Sequence, residues 1–121
     1  MIGYTTLGAN DLPKAVSFYE KLLAPLGPQK IMDDGRMIIF AGGNGAMLGV
    51  CTPDNGAVAT SGNGTMVALA AASKEQVDEL YKLALDLGGT DEGAPGARTE
   101  AFYGAYCRDL DGNKLCFFFM G

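Results

Sequence analysis

Residues 2–27 read IGYTTLGANDLPKAVSFYEKLLAPLG, and residues 64–89 read GTMVALAAASKEQVDELYKLALDLGG. Each stretch is a short β-prone run, a polar cap, an amphipathic helix and a glycine stop. Laid over one another at an offset of 62, they match element for element. Leu7 meets Leu69, Ala15 meets Val77, Phe18 meets Leu80, Tyr19 meets Tyr81, Leu23 meets Leu85 and Gly27 meets Gly89. In the first copy Asn10-Asp11 offers the cap, and Pro13 sits in the first turn, where its missing N–H is tolerated. In the second, Ser73-Lys74-Glu75-Gln76 fits a capping box, and Gly88-Gly89 closes the helix.

The pattern continues on both sides. After the first helix come two strand-like runs, 29–33 and 36–41, around the hairpin signal Asp34-Gly35. Gly42-Gly43-Asn44-Gly45 is a second turn, 46–52 a further strand, and 53–64 a Gly-rich polar linker. After the second helix, 90–98 reads as a loop with Gly93, Pro95 and Gly96. Strands are expected at 99–102, 103–109 and 114–120, the last two joined through Asp111-Gly112-Asn113. This final hairpin matches the first copy at an offset of 69, where Gly43-Asn44 meets Gly112-Asn113 and Met47 meets Cys116. The order β-α-β-β-β therefore occurs twice, an internal repeat. It predicts an α+β fold in one domain over 1–121, with module 1 at 1–52, linker 53–64 and module 2 at 65–121. The modules are expected to form curved mixed sheets around a cup-shaped cavity. Period-2 alternation assigns Leu7, Leu48, Val50, Leu69, Leu115, Phe117 and Phe119 to the helix-covered face. Tyr4, Thr6, Met47, Gly49, Met66, Ala68, Cys116 and Phe118 take the other face.

Composition narrows the chemistry. The 121 residues include no His and no Trp, with 14 acidic and 9 basic side chains and a net charge of −5. Without His there is no Ser-His-Asp or Cys-His catalysis and no imidazole metal ligand. An acidic chain lacks the basic footprint of a nucleic-acid binder. No apolar run approaches the ~20 residues of a membrane span, and the start MIGYTTLGAND lacks the features of a secretory signal. Three cysteines without CxxC spacing read as reduced thiols. A cytoplasmic protein that contacts neither nucleic acid nor membrane is expected.

The paired modules, the run NDLPKAVSFYEKLLAPLG and the ending YCRDLDGNKLCFF resemble the vicinal oxygen chelate superfamily, which includes glyoxalases, extradiol dioxygenases and bleomycin-resistance proteins. The R-D-x-D-G-N hairpin from Arg108 to Asn113 is the most distinctive part of the resemblance. Metal-dependent members bind a divalent ion through four inward residues, usually His, Glu, His and Glu. The resemblance places these at Tyr4, Met47, Met66 and Cys116, with Ala46 and Leu48 as alternatives to Met47. None is a carboxylate or imidazole, so no metal and no cofactor is expected. Pairing into a homodimer is implied by the resemblance and by the need to cover sheet edges.

Other residues have two readings each. Closing the last hairpin with Asp109 opposite Lys114 sets Cys107 opposite Cys116, at a Cβ spacing of about 4.5–5.5 Å. The two would be a soft-metal or redox pair, or small core hydrophobes. Tyr4 is a stacking surface or proton donor, or a core wall. Arg36 and Arg98 match at the 62 offset and are rim cations or solvated turn residues. Phe102 and Tyr103 line a ligand cavity or pack a strand. Asp33-Asp34 and Asp109/Asp111 are acid–base pairs or turn formers, and turns favour the latter.

A metal-independent small-molecule binding protein is the expected function, sequestering or sensing an apolar or aromatic ligand in the cavity between modules. Its expected ligand-binding residues are Tyr4, Met47, Met66, Tyr103, Cys116 and Phe118, with no catalytic residues. The alternatives are a divergent glyoxalase-like lyase, isomerase or dioxygenase relative, and a non-catalytic remnant.

Overall fold

A computed structural model describes residues 1–43 and 45–121. Asn44, matched above with Asn113, lies outside the described residues. The chain divides into two compact units, Met1–Thr60 and Ser61–Gly121.

The first unit runs β1 (Tyr4–Gly8), α1 (Leu12–Leu23), β2 (Gln29–Asp33), β3 (Met37–Ala41) and β4 (Met47–Cys51). Asp11 caps α1, its Oδ1 accepting from the Lys14 N–H at 3.2 Å. The helix buries Ala15, Phe18, Tyr19, Leu22 and Leu23 and packs on β4. A 3-10 turn, Ala24–Leu26, extends it to Gly27, whose φ of +65° is the left-handed conformation that suits glycine. The strands lie in the order β1-β4-β3-β2, with β1 and β4 parallel and the other pairs antiparallel. The segment 53–60 is fixed to this unit. Asn10 Oδ1 accepts from the Ala59 N–H at 2.7 Å, Asn10 Nδ2 donates to the Ala59 carbonyl at 3.3 Å, and Ala59 is buried.

The second unit repeats the plan with β5 (Val67–Ala70), α2 (Lys74–Asp86), β6 (Thr90–Ala97), β7 (Phe102–Arg108) and β8 (Lys114–Met120). Its sheet order is β5-β8-β7-β6, again with the outer and last strands parallel. Ser73 caps α2 by accepting from the Gln76 N–H at 3.1 Å, while Gln76 Oε1 reaches back to the Ala72 N–H at 2.7 Å. Val77, Leu80 and Ala84 are buried where α2 packs on β6, β7 and β8. Leu115 and Phe117 fill the sheet side of this core.

Four expectations change. Residues 99–101, expected to open a strand at 99–102, form the bend between β6 and β7. Residues 90–98 are not a loop. They form β6, an edge strand whose Gly and Pro residues sit at register shifts between Asp91 and Gly93 and between Gly93 and Gly96. Bulges and edges are where strands tolerate those residues. The β7–β8 hairpin closes with Arg108, not Asp109, opposite Lys114. Cys116 therefore faces Tyr106, and Cys107 faces Leu115, so the two cysteines lie on opposite faces of the sheet. Finally, Thr5 pairs with Leu48 and Val67 with Leu115, so the last strands match at an offset of 67 (115 minus 48). Gly49, not Met47, is the counterpart of Cys116.

The distinctive hairpin owes its shape to Asp109. Its Oδ1 accepts from the N–H groups of Asp111 and Asn113, both at 2.9 Å, and its Oδ2 from Asn113 Nδ2 at 2.9 Å. Both residues are buried, and Gly112 supplies a φ of +85°. The turn-forming reading holds for Asp109.

Candidate functional site

Each sheet has one face packed by its helix and one free of it. In the first unit the helix-free face carries Tyr4 opposite Met47, Thr6 opposite Gly49, and Ile39 on the other side of Gly49. A Cβ at Gly49 would lie 3.2 Å from Thr6 Cγ2 and 3.3 Å from Met37 Sδ, so these side chains lean over the glycine. Tyr4 is 56% exposed and Met47 partly so. Arg36 belongs to the turn at the other end. Its guanidinium donates to the Thr52 carbonyl at 2.8 Å. Asp34 next to it accepts from the Arg36 and Met37 N–H groups, which holds its carboxyl below the usual range.

The second unit's helix-free face has more chemistry. Ala68, Cys116, Tyr106 and Gly93 form one cross-strand row. Ala70, Phe118, Gly104 and Gly96 form the next. Because Gly104 has no side chain, the Phe102 ring lies over it. A Cβ there would be 2.7 Å from Phe102 Cε1. Phe102 thereby stacks on Phe118, with centroids 5.5 Å apart and planes 5° from parallel. Two cations sit on Tyr106. The Arg98 guanidinium lies 5.3 Å from its ring centroid and Lys114 Nζ 5.5 Å. Arg98 is held in place by the bulged strand, donating to the carbonyls of Gly96 at 3.0 Å and Ala94 at 2.7 Å.

Cys116 lies beneath this cluster, fully buried. Burial pushes its thiol pKa up, while a hydrogen bond with Tyr106 and the charges of Arg98 and Lys114 oppose the rise. On the other face, burial pushes the Cys107 thiol up to about 12, with Asp109 and Asp91 adding to the effect. Both thiols are fully buried, whereas a reactive thiol needs an accessible setting.

Of the six expected ligand-binding residues, Tyr4 and Met47 are neighbours on the first unit's open face, and Cys116 and Phe118 share that of the second. Met66 is 43% exposed and precedes β5 on the edge of the second sheet. Tyr103 stands apart from Cys116 and Phe118. It pairs with Phe119 on the helix side, and its hydroxyl donates to Asp78 Oδ1 of α2 at 2.6 Å. That bond raises the Tyr103 pKa. Tyr106 occupies the face on which Tyr103 was expected. A five-residue hairpin connection, 109–113, would have revealed this, because a one-residue slip exchanges the faces.

The donor set does not fit the family's divalent ion. Two thioethers, a phenol and a buried thiol held neutral offer no anionic oxygen and no imidazole. Cys116 stands opposite Ala68, not Met66, so the four positions do not form two matched pairs. Among the described residues, no group of three Cys, Asp or Glu side chains is placed to hold a metal ion. No helix among them is long and apolar enough to cross a membrane.

Comparison with known proteins agrees with this architecture. The chain is similar over 98% of its length to a glyoxalase/bleomycin resistance protein from Albidiferax ferrireducens, at 37% identity and a TM-score of 0.90, covering 97% of that chain. A glyoxalase-related enzyme from Fulvimarina pelagi shares the fold at 21% identity and a TM-score of 0.80, over 98% of this chain and 87% of that one. So does a glyoxalase/bleomycin resistance protein/dioxygenase family enzyme from Burkholderia phytofirmans, at 21% identity and a TM-score of 0.79, over 96% and 95%. No curated protein matches the chain. The family model for the Glyoxalase/Bleomycin resistance protein/Dioxygenase superfamily matches residues 1–117, and the chain belongs to that superfamily.

Proposed function

We propose that this chain is a metal-independent small-molecule binding protein of the glyoxalase/bleomycin-resistance type. The observation that carries this reading is the second unit's helix-free face. It presents partly exposed Phe102, Tyr106 and Phe118 beside the small side chains of Ala68 and Ala70, with Gly104 seating the Phe102 ring. An apolar aromatic surface with a few polar groups is the usual composition of a ligand site. The donor set at Tyr4, Met47, Met66 and Cys116 supports metal independence. Sequestration or sensing needs only binding, and none of these four is a carboxylate or an imidazole. Assembly as a homodimer is part of the proposal, supported by the two edge strands that each sheet leaves.

A thermal-shift screen of the full chain against neutral and charged aromatic compounds tests the reading. Ligands that bind the folded state raise Tm by mass action. At least one aromatic is expected to do so, with the shift retained after dialysis against EDTA. A panel without a stabilising compound, or shifts abolished by the chelator, would overturn it.

A further inference from the structure

Two cations of the second unit converge on one aromatic ring. The protein has a net charge of −5, yet Arg98 and Lys114 both lie against one partly exposed tyrosine. Among the described residues neither has a carboxylate within ion-pair distance. The ion pairs are Lys30–Glu20 and Arg108–Glu92. Arg98 is fixed by backbone carbonyls, which orient a guanidinium without neutralising it. The Phe102–Phe118 stack lies on the adjacent cross-strand row. One two-residue step along a strand, about 7 Å, separates the Phe118 row from the Tyr106–Cys116 row. That is the length of a one- or two-ring aromatic carrying a carboxylate.

We propose that the helix-free face of the second unit binds a small planar aromatic acid, its ring against the Phe102–Phe118 stack and its carboxylate between Arg98 and Lys114. The inference rests on the small-molecule reading above and names its ligand class. A guanidinium and an ammonium on one aromatic platform match an anion attached to a flat apolar body. The Phe102 ring lies over Gly104 and the Arg98 guanidinium over Gly96, so the glycines seat the aromatic and the cationic parts of the platform against the sheet, and Phe102 and Phe118 stay partly exposed. A neutral aromatic would gain the stacking and leave the two charges uncompensated. Discrimination should therefore come from the acid group.

The test compares 2-naphthoate with neutral 2-naphthalenemethanol by calorimetry on the full chain. The acid is expected to bind about tenfold more tightly, the scale of one charge-assisted hydrogen bond. Lys114→Gln and Arg98→Gln are each expected to weaken acid binding several-fold and to narrow its preference over the alcohol. Lys114→Arg should keep the preference. Raising the salt should weaken the acid alone. Equal binding of acid and alcohol, with no response to Lys114→Gln, would overturn the anion inference and leave the small-molecule reading intact. Absence of binding by both probes would overturn the inference as well. The wider reading then stands or falls with the thermal-shift panel. Circular dichroism of each variant distinguishes loss of a contact from loss of the fold.

Discussion

Asp109 is one carboxylate that sets the geometry of a whole hairpin. It accepts from the main chain at Asp111 and Asn113 and from the Asn113 side chain. Removing a buried acceptor leaves its donors without partners, so Asp109→Ala should cost about 2–4 kcal/mol in urea unfolding. A loss under 1 kcal/mol would mean that water replaces the carboxylate readily. Cys107 makes the second residue-scale case. Its thiol has a pKa of about 12 in the fold against an ordinary value of 9.0. A folded pKa above the unfolded one means that this contribution to stability is fully present below pH 9.0. It is lost as the pH rises from there towards 12. Cys107→Ala should therefore flatten the alkaline decline of Tm. Thiol labelling at pH 8 with peptide mapping should find Cys107 and Cys116 unmodified until urea is added. No disulfide should join them, because they lie on opposite faces.

At the scale of elements, the repeat and the two helices were legible because caps and apolar spacing are local signals. Asp11 and Ser73 cap where the alignment places them. The last hairpin was not, because DLDGN permits closure at either of two adjacent pairs and only the Asp109 side chain decides between them. That one-residue difference moved Tyr103, Tyr106 and Cys107 to the opposite faces from those expected. Strand β6 was hidden by Gly93, Pro95 and Gly96, residues that signal loops locally and edge bulges in a sheet. The aligned glycines also have different reasons. Gly27 needs a positive φ, whereas Gly89 meets the backbone. A Cβ there would lie 2.8 Å from the Ala84 carbonyl oxygen and 2.9 Å from that of Arg108. Gly89→Ala should thus destabilise by about 1–3 kcal/mol by denaturant midpoint, since backbone atoms cannot rotate aside. Gly3→Ala, with nothing within 4 Å of the added Cβ, is the control and should be near neutral.

For the whole molecule, duplication and superfamily membership could be inferred from residue order, whereas the placement of Arg98 and Lys114 on Tyr106 could not. Arg98 and Tyr106 are eight residues apart and meet because the arginine side chain folds back along β6 over the Gly96 and Ala94 carbonyls. The donor set at the family's metal positions leads to a prediction at this scale. Purified protein should carry substoichiometric Zn, Ni, Fe and Mn by elemental analysis, and EDTA should leave its Tm unchanged. A chelator-sensitive Tm would point to ligands elsewhere in the chain. The Asn10–Ala59 amide clamp has a consequence for where the polypeptide can be interrupted. A fragment ending at residue 52 would forfeit that clamp and the Ala59 methyl that lies against Gly8. One ending at Thr60 keeps both, and Thr60 is where the first compact unit ends, its apparent tail included.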